Sequence, residues 1–168
     1  YTGLNILDAK YDQVISDGYQ ASLTAMNHLM SLGHTRIGYI GETRDEDRYT
    51  GYCTALNTGG IPLKKEYVAD VPLSSEGGYR GARQLIDRGV DVSALFCSND
   101  IDTAQYLSPM LTTIHMPVEE MGQMTAKILI DRIEGGHRLP IRMNLPYYLA
   151  SRESCGQYHP SRSLAKSK

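Results

Sequence analysis

Between Gly18 and Cys97, helix-spaced and strand-like apolar runs alternate three times with short connections, and few folds accept that rhythm. From Gly18 to Leu32, Leu23, Met26, Leu29 and Met30 recur at helical spacing, and Gly33 stands where a left-handed C-terminal cap is expected. The short apolar segment Arg36 to Ile40, closed by Gly41, reads as a buried strand. A helix from about Asp47 to Thr58 carries Tyr49, Tyr52, Cys53 and Leu56 on one face and stops at Gly59-Gly60-Ile61-Pro62. Tyr67 to Val71 reads as a strand. Ser74 and Ser75 offer N-caps to a third helix with the stripe Tyr79, Ala82, Leu85 and Ile86, ended by Gly89, and Ala94 to Cys97 is the next strand. The pattern predicts an α/β protein, a parallel sheet flanked by helices with right-handed crossovers.

After Cys97 the rhythm breaks. A strand-helix-strand unit takes about 30 residues or more, yet only Ser98 to Met110 precede the apolar Leu111-Thr112-Thr113-Ile114, and no convincing helix lies there. Loss of a central strand and helix would expose apolar faces of their neighbours, which implies low stability or aggregation. A helix then begins at Pro117, with Glu119 and Glu120 suiting its positive end. Met121, Met124, Ile128, Leu129 and Ile133 are expected on its inner face, and Gly135-Gly136 ends it. An extended strand follows within Leu139 to Leu149, and residues 156–168 form a polar tail expected to be disordered.

Composition narrows the function classes. A chain of 168 residues suits one domain, and a net charge of −2 gives it no intrinsic attraction to nucleic acid. Cys53, Cys97 and Cys155 match neither a disulfide framework nor a tetrahedral zinc site, which suggests a reducing cytoplasm. No apolar stretch approaches the roughly 20 residues of a membrane span, so no membrane partner is expected.

Three strings carry a resemblance: Leu32-Gly33-His34-Thr35-Arg36-Ile37-Gly38-Tyr39-Ile40-Gly41, then Arg48-x-x-Gly51-Tyr52, then Tyr106-Leu107-Ser108-Pro109-Met110-Leu111-Thr112-Thr113-Ile114. Gly77-Gly78-Tyr79, Phe96-Cys97-Ser98-Asn99-Asp100, Met121-Gly122 and Leu149-x-x-Arg152-x-Ser154-Cys155 add to them. From Asp17 to Cys155 the chain resembles the effector-binding domain of LacI/GalR-family transcription regulators. The resemblance implies a periplasmic-binding-protein-like fold (type I) of two subdomains, joined by three crossing strands and closing on a small molecule, here incomplete. Residues 1–155 would be the partial effector-binding and dimerisation domain, with 1–34 and 112–136 mainly in the first subdomain and 35–111 and 137–155 mainly in the second. An internal loss falls near 98–101, where two acidic pairs of the family are collapsed into one. Asn99-Asp100 therefore stands for the first pair, the second, or one residue of each. The resemblance also implies a homodimer, a sugar as effector, and operator DNA reached only through a headpiece that this sequence does not contain. The alternative is a periplasmic-type sugar-binding protein of a transporter.

Ligands of open α/β sheets bind beyond the carboxyl ends of the strands, which singles out the loops at 42–47, 72–75 and 98–100. Spacing alone makes Arg48 a surface ion-pair partner of Asp45 or Glu46; the resemblance makes it an effector ligand, its rigid fork holding two oxygens. Asn99 and Asp100 either bond sugar hydroxyls or cap a helix. Leu73 either lines the cleft or packs in the core, Arg44 is a weaker candidate or a solvated charge, and Asn5 is expected to project from its strand into the same cleft. His34 is expected to satisfy backbone groups at a helix-strand corner. The remaining histidines lack metal-pair spacing, Gly38-x-x-Gly41 lacks the third glycine of a dinucleotide fingerprint, and Ser74-Ser75 has no nucleophile-elbow context. No metal, cofactor or enzymatic activity is expected.

Overall fold

The computed structural model describes residues 1–7, 10–97 and 102–159. In chain order its elements are β1 (Thr2–Gly3), β2 (Gln13–Ile15), α1 (Gly18–Ser31), β3 (Ile37–Gly41), α2 (Asp47–Thr58), β4 (Val68–Asp70), α3 (Ser75–Asp87), β5 (Ala94–Phe96), β6 (Thr113–His115), α4 (Val118–Glu134), β7 (Arg142–Asn144) and β8 (Tyr148–Ala150). Two parallel sheets result, in the orders β1-β2-β7 and β4-β3-β5, while β6 and β8 pair antiparallel.

Local signals set the helix bounds. Asp17 accepts from the Gln20 N–H at 2.9 Å to start α1, and Ser74 accepts from the Gly77 N–H at 3.0 Å to start α3. Gly33 at φ +88° closes α1 and Gly135 at φ +81° closes α4, a conformation that a side chain rarely adopts.

The second sheet is covered on both faces. On one, Ala21, Ala25, Met26 and Leu29 of α1 pack with Tyr52 and Leu56 of α2 over Ile37, Tyr39 and Phe96. Gly51 allows the close approach of the two helices, since a Cβ there would stand 2.7 Å from the Ser22 Cβ and from the Tyr19 carbonyl oxygen. The Arg48-x-x-Gly51-Tyr52 string is thus also a packing device: Tyr52, fully buried, donates from its hydroxyl to the Ile37 carbonyl at 2.8 Å and locks α2 to β3.

On the other face, α3 lies over Ile40, Ala69 and Val71 through Leu85. Here the expected stripe is corrected in part, since Leu85 is buried with Ala82 packed beside it while its other two members are not. Gly77, Gly81 and Leu85 are the buried line, while Tyr79 is 66% and Ile86 65% exposed. The helix turns its glycines toward the sheet because it sits too close for anything larger. A Cβ on Gly81 would meet the Ile40 Cγ2 at 2.5 Å. Gly81→Val is expected to destabilise the chain by about 1–3 kcal/mol through overpacking. Urea unfolding reads this directly, and an unchanged midpoint would contradict the close seating of α3.

Three further expectations are corrected. Helix α1 packs on the second sheet, whereas the expectation places residues 1–34 mainly with the first. Strand β7 pairs with β2 in the first sheet, with the Leu145 N–H donating to the Ile15 carbonyl at 2.7 Å, whereas the expectation places 137–155 mainly in the second unit. In chain order the backbone passes between elements of the first sheet and those packed on the second at 16–17, 116–117 and 145–147. Residues 156–159 are docked, not loose. The Tyr158 N–H donates to the Leu32 carbonyl at 2.8 Å, Arg36 Nη2 donates to the Tyr158 hydroxyl at 2.9 Å, and His34 Nε2 lies 3.0 Å from the Gly156 carbonyl. His34 is the corner residue the sequence suggested, its Nδ1 lying 3.1 Å from the Ser93 hydroxyl.

The expected internal loss near 98–101 lies outside the described residues; between β5 and β6 the described residues hold one 3₁₀ turn, Asp102–Gln105. Among the described residues strand β5 has β3 as its ladder partner, and Leu95 is 45% exposed. Of the face expected to be inner on α4, Met121 is buried, but Leu129 and Ile133 are exposed. The helix packs chiefly on β1 and β2 of its narrow sheet, and a hollow of about 290 Å³ remains between Ile128, Leu129, Thr125 and Tyr11.

The end of α4 is tied down electrostatically. Arg132 donates to both Asp12 oxygens at 2.9 and 2.7 Å, Asp12 also accepts from the Ile141 N–H at 2.8 Å, and His137 bridges Asp12 and Asp131. The Arg132 side chain, followed by the Ile141 N–H, holds the Asp12 carboxyl well below the usual range, while the Asp131 carboxylate first and Asp12 after it raise His137. Asp12 therefore adds stability that is present above its unfolded value of about 3.9 and is lost as pH falls through its lowered folded value. His137 adds stability that is complete below about pH 6.5 and is lost as pH rises through its raised folded value. A melting-temperature profile should decline above about pH 6.5, and His137→Ala should flatten that limb. An unaltered limb in the variant would assign it elsewhere.

Candidate functional site

The carboxyl ends of β3 and β4 open side by side, because the strands are parallel and in register at Gly41 and Asp70. Asp70 accepts from the Thr43 N–H at 3.0 Å, fixing the loop that follows β3. That loop turns through Asp45 at φ +51°, a left-handed conformation that aspartate tolerates better than most residues, and delivers Glu46 as the N-cap of α2.

Glu46 and Arg48 form the centre of this region. Each side chain is 3% exposed, with Arg48 Nε 2.5 Å from one Glu46 oxygen and Nη2 2.8 Å from the other, so the fork is matched by a single carboxylate. Glu46 also accepts from the Arg48 backbone N–H at 3.1 Å. Burial pushes the Glu46 carboxyl up, but the guanidinium outweighs it and leaves the group below its ordinary value; Arg48, in spite of burial, is raised by Glu46. Of the two partners offered by spacing, the structure selects Glu46, and it buries the pair instead of leaving it on the surface. Gly18 makes room for the pair, since a Cβ there would lie 3.1 Å from the Arg48 Cγ.

The first unit reaches the same place. From the loop after β1, Asn5 Oδ1 accepts from the Asp47 N–H at 3.1 Å and Nδ2 donates to the Asp45 carbonyl at 3.4 Å, while Asp47 Oδ2 accepts from the Ile6 N–H at 2.8 Å. The Asn5 side chain also bonds Glu46. Asn5 and Arg48 are thus brought together across the two units. Arg44 is exposed, and Leu73, 43% exposed, lies in the loop that leaves β4. Asn99 and Asp100 lie outside the described residues. Asp47 and Asp70 were not singled out from sequence; a carboxylate in the first turn of a helix signals a favourable charge, not the backbone across the cleft to which it bonds. Among the described residues no group of three or more His, Cys, Asp or Glu is placed to hold a metal ion.

Comparison with known proteins decides the family. Residues 5–106 match the profile of periplasmic binding proteins and sugar binding domain of LacI family, and residues 89–155 match a periplasmic binding protein-like domain. The chain belongs to this family. Curated relatives of the LacI-type domain include the HTH-type transcriptional repressor PurR of Photorhabdus laumondii, 29% identical over 73% of the chain and 45% of the relative, and that of Yersinia pestis, 26% identical over 85% and 51%. The chain spans about half the length of the curated relatives it matches. Among solved structures, a transcriptional regulator CelR–cellobiose complex superposes with a TM-score of 0.84 at 26% identity, covering 92% of this chain and 58% of that one. A LacI family transcriptional regulator from Enterococcus faecium with bound ribose superposes with a TM-score of 0.75 at 25% identity, covering 94% and 70%. The fold of this LacI-type chain is therefore the periplasmic-binding-protein-like one.

Proposed function

We propose that the chain is the effector-binding region of a LacI-type, DNA-binding transcriptional regulator, and that a small sugar seated where Asn5 meets the start of α2 changes the angle between the two units. The observation that carries this reading is the convergence of the first unit's Asn5 and Ile6 on the helix start that holds Arg48. A ligand there touches both units, which gives it the differential affinity for two arrangements that any such control requires. Arg48, Asn99, Asp100, Leu73, Arg44 and Asn5 are the residues proposed to meet the ligand. The curated relatives are named as repressors, and the solved relatives above 25% identity include a regulator bound to a sugar, which favours this reading over a transporter's sugar-binding protein. Operator binding through a segment outside this chain, a homodimer, a cytoplasmic location and the absence of catalysis belong to the same proposal. No helix among the described residues is long and apolar enough to cross a membrane.

Titration calorimetry of the chain with ribose, cellobiose, glucose and galactose tests the reading. At least one should bind, and Asn5→Ala should weaken it by about tenfold, the worth of one or two neutral hydrogen bonds, with the fold retained. Equal affinity in the variant would move the ligand away from this cleft.

A further inference from the structure

We propose that Glu46 sets the charge selectivity of this cleft, so that it takes an uncharged polyhydroxyl ligand and rejects the corresponding carboxylate. The proposal rests on the effector-binding reading above and deepens it. A guanidinium at a ligand site ordinarily recruits carboxylate or phosphate through its paired N–H groups. Here that pairing is already made from within, Nε and Nη2 of Arg48 each resting on an oxygen of Glu46 at 2.5 and 2.8 Å, with both side chains 3% exposed. An anionic ligand would have to displace Glu46, which would strand its carboxylate and remove the acceptor for the Arg48 N–H at the start of α2.

The surroundings oppose a second negative charge as well. Glu42, Asp45 and Asp47 share the loop and first turn with Glu46, and Asp70 joins them from β4, against Arg44 and Arg48. Sugar hydroxyls suit such a rim, because each donates to a carboxylate or accepts from an N–H without bringing charge. Like-charge juxtaposition costs enough to discriminate strongly between near-isosteric ligands.

Calorimetry with glucose, glucuronate and glucuronamide, and with the galactose series, isolates charge from shape, since the amide copies the carboxylate's outline without its charge. The hexose and the uronamide are expected to bind within a few-fold of each other, and the uronate more weakly than either by about tenfold or more. Glu46→Gln should narrow that ratio. A uronate that binds as well as the hexose, or a uronamide as weak as the uronate, overturns the proposal and leaves the effector reading standing. Binding of none of the neutral sugars overturns both. Because the neutral isostere is compared on the unmodified chain, the test does not depend on the variant folding.

Discussion

Tyr52→Ala is expected to cost about 3–5 kcal/mol, enough to unfold much of a domain of ordinary stability at room temperature. The ring has no exposed surface and stands in an aromatic cluster with Tyr39 and Tyr49, at centroid separations of 5.2 and 6.0 Å, with Phe96 5.9 Å beyond Tyr39. Its hydroxyl closes on the Ile37 carbonyl, so truncation opens a cavity and strands a buried acceptor together. Tyr52→Phe separates the two effects. It keeps the volume and should lose about 1 kcal/mol, the net worth of one hydrogen bond. Denaturant unfolding of the three proteins gives both numbers; equal losses in the two variants would mean that the hydroxyl, not the ring, holds α2 on β3.

Glu46→Ala should be comparably damaging, by about 3–5 kcal/mol, because it leaves Arg48 charged and buried without its matching carboxylate. The loss is not the worth of the pair. Replacing both residues by apolar side chains of similar volume, Glu46→Leu with Arg48→Met, should return most of it and could exceed the parent stability by about 1–4 kcal/mol, since two charges are then no longer taken out of water. A double-mutant cycle by chemical denaturation measures the coupling, and a double variant as unstable as Glu46→Ala alone would show that the damage comes from the lost helix cap instead.

Much of the second unit was legible because its signals are local. The bounds of α2, Asp47–Thr58, coincide with the span read from its apolar face and glycine stop, and Ser74 caps α3 as its position suggested. What escaped depends on distance through space. On α3, Leu85 is buried and Ala82 packs beside it as expected, but Tyr79 and Ile86 turn outward, because apolar periodicity assumes that side chains fill the interface, whereas two glycines do so here. Arg48 and Glu46 are two residues apart at a helix start, and sequence supplies the pairing but not its surroundings, the space that Gly18 leaves and the Asn5 side chain that bonds Glu46 from elsewhere in the chain. The docking of Tyr158 on the α1–β3 corner was hidden by a polar neighbourhood, and α4's apolar face promised a burial that a three-stranded sheet does not provide.

The triple passage of the backbone between the units constrains how they can move. One connection would leave a universal joint; three, with β6 and β8 laddered together beside two of them, would resist twist and sliding more than bending. On the proposed effector reading, a small molecule that draws Asn5 and the start of α2 together would have essentially one coordinate to act on. Its binding free energy would go into a single swing instead of being dispersed over many loose displacements.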